Sequence, residues 1–516
     1  MMSIFEKLLR FYNFTDKDYE DFVGFIDDSS FPRIVDENSF NMIKKLKECI
    51  ESGKKIIISG DYDCDGITST SILFLTIKKL NENVGYFIPS RYKEGYGLNI
   101  ERIAQFKEKG YDVLISVDNG ITCVEEVKYA KSLGFDVIIV DHHEVQEVIP
   151  PADYIFHQKL SHLTDYNISA AFLALLISNE LLGYYDPYLV SLAGLAVLSD
   201  SMPLEKANLA LLRMALKYIN EYKYEQIVDI ANTDIYDEIF LNFNVIPKIN
   251  AVGRVETGLK VNDVVKLFTS DNSFNIKQYA FELECANDKR RSLVASYDKE
   301  DLVDYKSFYL YDSKLILGVG GLLANRILTM QKNNAVVMNL IDDEYTCSAR
   351  TLPGYDIMLV LSGIKDKLTH FGGHSNAAGF SFKKEQLNEI LKYLADNLKP
   401  NTIEEKRSVI DIELSDVSSK TFDMIKKFGP FGQNHSEPLF HICVDNSSFK
   451  RMKLGSEHIY IQSNDVKIIF FNGLSKLSNQ NETRLIGKFA ENTFNKRKSI
   501  QFIVESTVEE SDYILI

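Results

Sequence analysis

Between residues 54 and 200 the chain alternates short, wholly apolar runs with longer amphipathic ones. KKIIIS, VGYFIP, VLISVD and VIIVD carry Ile, Val, Leu and Phe in succession rather than at every second position. Continuous apolar runs of this length mark strands buried on both faces. Strand–helix alternation predicts a mostly parallel sheet with helices on both sides, an α/β architecture. We expect the runs at 56–59, 113–117 and 136–140 to be its central strands.

The pattern changes elsewhere. Residues 1–53 read as helical, with FNMIKKLKECIESG apolar at helical spacing and closed by Ser-Gly. Residues 168–220 read as two or three helices, ISAAFLALLISNELLG being the clearest. The stretch 220–300 is mixed and ends in a polar helical run, IKQYAFELECANDKRRSLVASYDKEDLV, suited to a connector. A second α/β unit begins near 306 with KLILGVGGLLANRIL and NNAVVMNL and reaches a glycine-rich patch, FGGHSNAAG. KPNTIEEKRS marks a boundary near residue 400, and the short β runs of 407–516 predict a small barrel. The expected units are 1–53, 54–220, 221–304, 305–400 and 401–516.

Composition bounds the picture without deciding it. A chain of 516 residues is too long for one core. It holds no run near the roughly 18 uncharged apolar residues of a membrane span, and its first residues lack a signal-peptide pattern. Six cysteines with no CxxC spacing argue against a disulfide scaffold or a cysteine zinc site, so a cytoplasmic protein is expected. A net charge of −15 argues against indiscriminate nucleic-acid binding, but leaves room for a local basic channel.

The chemistry sits at the ends of the apolar runs. IIISGDYDCDG supplies Asp61, Asp63 and Asp65, VLISVDNG supplies Asp118, and VIIVDHH supplies Asp141, His142 and His143. Asp200 closes the long apolar stretch LAGLAVLSD, and we group it with the others as a fourth strand-end motif. Each aspartate alone reads as a helix cap. Together they place carboxylates where open α/β sheets bind ligands, beyond the strand C-termini. Three carboxylates within five residues repel one another unless cations neutralise them. Oxygen donors with one imidazole suit Mn²⁺ or Mg²⁺, and a carboxylate bridging two such ions gives a phosphoryl-transfer centre. His157 and His162 read as structural or surface groups.

The set DYDCDG, VDNG, DHH and the aspartate of LSDSMPL resembles the DHH phosphoesterase superfamily, and GGHSNAAG resembles its DHHA1-containing branch. RYKEGYGL (91–98), IPKINAVGR (246–254), ECANDKRR (284–291), CSARTLPGYD (347–356) and FGPFGQNHSEPLF (428–440) are similar to the bacterial single-stranded-DNA-specific exonucleases of that branch. The resemblance implies a parallel-sheet DHH domain joined by a helical connector to a smaller DHHA1 domain, with an OB-like β-barrel after it. It implies two divalent ions, Mn²⁺ or Mg²⁺. Asp63 and Asp118 would hold one; Asp65, Asp118, His142 and Asp200 would hold the other. His143 would contact the scissile phosphate, Asp61 would orient the site, and Asp141 would support the histidines.

Arg350, Gly373 and His374 look like phosphate-binding residues on the opposing wall. An arginine fork suits phosphate, and glycine lets backbone approach it. We read FGGHSNAAG as a helix or tight turn near a polyanion. Asn250, Arg254, Asn287 and Arg291 are candidates to line the DNA path or to stitch the connector to the catalytic domain; Arg451 and Lys453 are candidates for the DNA path, with NKRKS (495–499) adding positive charge. The implied activity is 5′–3′ degradation of single-stranded DNA to 5′ mononucleotides, in DNA repair and recombination. Implied protein partners are a single-strand-binding protein or a RecQ-like helicase. Two rivals stand beside it: a hydrolase of short oligonucleotides or cyclic dinucleotides, which the extra β domain disfavours, and a silent nucleic-acid-binding scaffold, which the intact acidic set disfavours.

Overall fold

The computed structural model describes residues 2–90, 97–313, 317–400, 407–478, 480–494, 497–508 and 513–516. Most of RYKEGYGL, the boundary residues 401–406, and the first two residues of NKRKS lie outside the described residues.

Helices α1 (Ile4–Phe11), α2 (Asp16–Gly24) and α3 (Glu37–Glu51) open the chain. Strands β1 (Ile56–Ser59), β2 (Val84–Phe87), β3 (Val113–Val117), β4 (Asp136–Val140) and β5 (Tyr154–Phe156) follow, pairing in the order β2-β1-β3-β4-β5. Every pairing is parallel, and the three expected central strands are central. Successive side chains point to opposite faces. Ile56, Ile58, Val113, Ile115 and Ile138 therefore enter one core, with α3, α4 (Cys64–Lys78) and the later helices. Ile57, Leu114, Val137 and Ile139 enter the other, under α5 (Ile100–Glu108) and α6 (Val124–Ser132).

Helices α7 (Ala170–Leu182), α8 (Pro187–Ser199) and α9 (Lys206–Tyr222) complete the unit built on this parallel sheet. Residues 170–178 and 189–198 are buried throughout, which explains their nearly unbroken apolar sequence. The connector ends in the helix Ser273–Ala295.

The second α/β unit holds β6 (Val303–Asp304), β7 (Tyr309–Asp312), β8 (Ala335–Ile341), β9 (Glu344–Arg350), β10 (His370–His374) and β11 (Ala377–Lys383). They pair as β10-β11-β9-β8-β7-β6. Here one expectation is corrected. FGGHSNAAG forms no helix; it is the antiparallel hairpin β10–β11, with Gly373 opposite Ala378. Its small residues permit close pairing of two strands rather than a helix packed on a turn.

The C-terminal sheet joins β12 (Arg407–Asp411), β13 (Phe440–Asp445), β14 (Lys450–Arg451), β15 (Ile459–Ser463), β16 (Val466–Phe470), β17 (Glu482–Phe494), β18 (Arg497–Thr507) and β19 (Tyr513–Leu515). A register shift at Ile486/Gly487 bends the long β17–β18 pair, as a bulge does. Phe440, Phe489 and Phe502 pack edge to face beneath it. The amino-terminal helices divide between two cores. Leu8 and Leu9 of α1 belong to the C-terminal core, whereas Met42, Ile43 and Leu46 of α3 belong to the core of the parallel-sheet unit. Among the described residues no helix is long and apolar enough to cross a membrane.

Candidate metal centre and substrate cleft

The loop after β1 runs straight into α4. Asp63 is the N-cap of that helix, its Oδ1 accepting from Gly66 N at 3.1 Å. Gly66 has to be glycine, because a Cβ there would lie 2.5 Å from the Asp61 carbonyl oxygen. Asp65, in the first turn, is fully buried. Its two oxygens accept from Ala170 N (2.8 Å) and Ala171 N (2.7 Å), at the start of α7. Cap and ligand-type carboxylate are thus compatible roles at this loop.

Asp118 follows β3 in a left-handed backbone conformation (φ 60°), with its N–H donating to Val140 O at 2.9 Å. Asn119 braces that turn. Its Oδ1 accepts from Ser116 Oγ at 2.6 Å and its Nδ2 donates to Val117 O at 2.9 Å. Sequence reasoning passed over Asn119; its place between Asp118 and Gly120 was the available signal.

Asp141 follows β4 and is buried among donors. It accepts from Ile121 N, from the backbone amides of His142 and His143, and from His143 Nδ1 at 2.8 Å. Burial alone would raise its carboxyl, but these donors, His143 foremost, hold it below the ordinary value. Burial opposes the His143 cation, yet Asp141, Asp61 and Asp65 together carry its pKa above the ordinary value. His157 donates from Nε2 to His143 O at 2.8 Å, and Gln158 Nε2 donates to His142 O at 2.9 Å. The expected structural role of His157 therefore consists in holding the histidine pair.

Asp200 corrects the grouping with strand ends. It is the C-cap of α8, and a helix rather than a strand delivers it. Around His142 Nε2 lie Asp118 Oδ1 at 3.2 Å, Asp200 Oδ2 at 3.5 Å and Asp65 Oδ2 at 3.6 Å. Three sets of donor atoms converge within 4.8 Å: Asp61–Asp63–Asp118, Asp65–His142–Asp200 and Asp118–His142–His143.

The electrostatics show what this cluster needs. Burial, then the charge of Asp63, pushes Asp65 up to about 7. Burial, then Asp65, raises Asp118 and Asp200 well above the ordinary carboxyl range. Burial, then the neighbouring His143, pushes His142 down to about 4, so its imidazole is neutral at physiological pH. Its buried Nε2 makes no hydrogen bond among the described residues. A neutral nitrogen aimed at mutually repelling carboxylates fits a divalent cation on chemistry alone.

The opposing wall comes from the second unit. Arg350 ends β9, donates to Ala349 O at 2.8 Å, and packs so near Gly321 that a Cβ there would lie 2.9 Å from Nη2. Gly373 (φ +143°) could not carry a Cβ, which would meet Ala377 O at 2.2 Å. His374 is exposed at the end of β10 and, after Lys159 and His157, helps hold Glu144 below its usual range. That effect sets it facing the segment that follows the histidine pair.

Arg254 and Arg290 form a basic cluster with Arg350. Burial lowers the pKa of both Arg290 and Arg350, and the Arg254 charge lowers each further. Arg290 was missed in the sequence. Asn287, a candidate for the DNA path or for stitching the connector, is buried beneath it and accepts from Arg290 Nε at 3.1 Å and Nη2 at 2.8 Å. Asn250 likewise turns inward, its Oδ1 accepting from Cys64 N at 2.8 Å. Arg291 is exposed, 4.0 Å from Asp288. Arg451 and Lys453 are exposed on the C-terminal domain, Arg451 in β14 and Lys453 just after it.

Three family models match in order: the DHH family N-terminal domain over residues 55–196, the DHHA1 domain over 304–399 and the RecJ OB domain over 410–506. The single-stranded-DNA-specific exonuclease RecJ of Bacillus subtilis is 29% identical over 494 residues, which cover 89% of this chain and 62% of that protein. The chain therefore spans less than two thirds of that relative's length. The crystal structure of RecJ in complex with Mn²⁺ from Thermus thermophilus superposes with a TM-score of 0.77 at 22% identity, covering 93% of this chain and 74% of that one. A structure of exonuclease RecJ bound to manganese gives a TM-score of 0.59 at 25% identity, covering 73% of this chain and 98% of that one. With these three domains in this order over a matching fold, the chain belongs to the RecJ family of the DHH/DHHA1 phosphoesterase superfamily.

Proposed function

We propose that this chain is a divalent-metal-dependent exonuclease that hydrolyses single-stranded DNA from its 5′ end and releases 5′ mononucleotides. The observation that carries the reading is the convergence of Asp61, Asp63, Asp65, Asp118 and Asp200 with a neutral His142 at the C-terminal edge of the parallel sheet. RecJ relatives are named single-stranded-DNA-specific exonucleases, and one RecJ structure is of the manganese-bound protein.

Asp65, Asp118, His142 and Asp200 would hold one ion, and Asp63 with Asp118 would hold the other. Two Mn²⁺ or Mg²⁺ ions supply an activated water and neutralise charge on the phosphoryl oxygens. The protein does the positioning. The amides of Ala170 and Ala171 aim Asp65, and Asn119 braces the turn of Asp118. Asp141 holds Nδ1 of His143, so the ring meets the scissile phosphate in one orientation.

Arg350, the open backbone at Gly373, and His374 bind phosphate from the facing wall. Arg254 and Arg290 add charge along the same approach. The C-terminal domain then receives the strand through backbone charge and base stacking, with Lys450, Arg451, Lys453 and Tyr460 at hand. The six cysteines are all free thiols, in keeping with a cytoplasmic setting. A single-strand-binding protein or a RecQ-like helicase belongs to the same reading as a partner.

The test is digestion of single strands blocked at either end, with Mn²⁺, Mg²⁺ or chelator. The expected result is metal-dependent release of mononucleotides, stopped by the 5′ block alone. Digestion that survives chelation, or that a 3′ block stops, overturns the reading.

A further inference from the structure

The fourth carboxylate rests on a segment with unusual backbone demands. Between Asp200 and α9 the chain reads Ser201-Met202-Pro203-Leu204-Glu205, and both Ser201 (φ 51°) and Lys206 (φ 33°) are left-handed without being glycine. Such conformations are strained for a residue with a Cβ and persist where surroundings over-determine them. From its own domain the segment is held by Ser201 N and Met202 N, which donate to Leu198 O at 3.2 Å and Val197 O at 2.9 Å, and by Asn208, whose Nδ2 donates to Pro203 O at 2.9 Å and to Asn167 O at 2.7 Å.

Further along, at Leu204 and Glu205, supports come from the C-terminal domain. Leu204 N donates to Gln433 O at 2.9 Å, and Asn434 Nδ2 donates to Glu205 Oε1 at 3.0 Å. Gly432 lies against the buried Leu204 side chain, where an added Cβ would come within 2.9 Å of Cδ1. These residues belong to FGPFGQNHS, a motif the hydrolytic chemistry leaves unused.

The turn is itself rigid. Gly432 and His435 exchange backbone hydrogen bonds of 2.9 and 3.1 Å, and Asn434 is left-handed at φ 60°. His435 Nε2 donates to Phe428 O at 2.6 Å, while its ring stacks on Tyr12 at 4.5 Å and meets Phe22 at 4.9 Å. Arg213 of α9 donates to the carbonyls of Gly429, Phe22 and Phe25, binding the turn and the amino-terminal helices to the catalytic domain. Glu238 accepts from Phe431 N at 3.1 Å.

We propose that the turn Gly432–His435 is a positioning element for Asp200: the C-terminal domain, braced by α1 and α2, sets the exit of the chain from α8 and so tunes the ion site that Asp200 completes. Asp200 caps its helix at the point of exit, with Ser199 Oγ donating to its Oδ1 at 3.2 Å. A change in the path of residues 201–204 therefore turns the carboxylate. This rests on the ion assignment proposed above. It gives the C-terminal domain a part in assembling the catalytic centre, in addition to holding DNA.

The test uses the full chain and Mn²⁺ alone, with free ion read by electron paramagnetic resonance and folding checked by thermal melting. Gly432→Leu wedges the turn away from Leu204, and Asn434→Ala removes the bond to Glu205. Each should weaken the Asp200-dependent manganese site, about tenfold or more for the wedge, in the range seen when groups that orient metal ligands are lost. Glu205→Gln keeps the acceptor and should keep the wild-type constant. In steady-state assays the manganese requirement should rise, and excess manganese should restore kcat. Asp200→Ala serves as the reference. If it leaves manganese binding unchanged, the ion assignment fails and takes this proposal with it. If it weakens binding while folded Gly432→Leu and Asn434→Ala bind manganese like wild type, the positioning role alone is overturned.

Discussion

His143 donates its Nδ1 proton to Oδ1 of Asp141 across 2.8 Å, and the same oxygen accepts from both backbone amides of the histidine pair. One buried carboxylate thus determines the path of the chain and the orientation of the ring that we propose meets the phosphate. Asp141→Asn places an amide where a charged acceptor stood, and the ring loses its preferred tautomer. The expected outcome is a fall in kcat of about 10–100-fold, with smaller change in DNA affinity. Steady-state kinetics at saturating manganese check it; an unaltered kcat would sink the role given to Asp141.

Asp118 is destabilised by its surroundings. Burial comes first, then the charges of Asp65, Asp63 and Asp200, all raising its carboxyl well above the ordinary range. Asp118→Asn removes one of the repelling anions. The metal-free variant should melt higher than wild type, by about 2 °C or more, while manganese-dependent turnover disappears. Calorimetry beside the nuclease assay separates the two effects. A variant that melts lower and still cleaves contradicts both halves.

The same cluster makes stability depend on pH. The folded protein holds Asp65 at about 7 against an ordinary value of 3.8, so it binds a proton that the unfolded chain releases earlier. The contribution of this group is complete below the lower value and is lost as pH rises through the higher one. The metal-free Tm should therefore fall between about pH 4 and about pH 7, and saturating Mn²⁺ should flatten the slope. Manganese binding near neutral pH should also release protons, read by calorimetry in buffers of different ionisation enthalpy. A flat metal-free profile and no proton release would contradict the electrostatic account.

Arg290 stands on Asn287 beside Arg254, and its partial burial makes its charge costly unless an anion arrives. Arg290→Met should weaken single-strand binding and reduce the slope of log affinity against log salt by about 0.7, the loss of one phosphate contact. Asn287→Leu should act in the same direction through Arg290. Titrations over a range of salt decide it, and an unchanged slope removes Arg290 from the DNA path.

The first three motifs were legible because their spacing follows directly from strand geometry. A continuous apolar run ending in Asp shows which residue emerges at the sheet's C-terminal edge, and Asp63, Asp65, Asp118, His142 and His143 all emerge there. Asp200 was legible as a candidate but misplaced, since a buried helix such as α8 is as apolar as a buried strand. At FGGHSNAAG the sequence left a helix or a tight turn open, because small residues serve close packing in either form; the structure makes it a hairpin.

What the chain determined by itself was local: which runs are buried, which residues stand at their ends, and how many carboxylates must share one place. The tertiary structure decided the rest, because it depends on contacts between distant residues. Asp65 finds its donors more than a hundred residues away at Ala170 and Ala171. Asn287 becomes a buried support for Arg290 rather than a surface contact, and α1 joins a core formed by the far end of the chain. Spacing along a sequence carries periodicity and end positions. It does not carry the free energy of bringing separate segments together, and that free energy sets both the cluster's repulsion and the turn that braces Asp200.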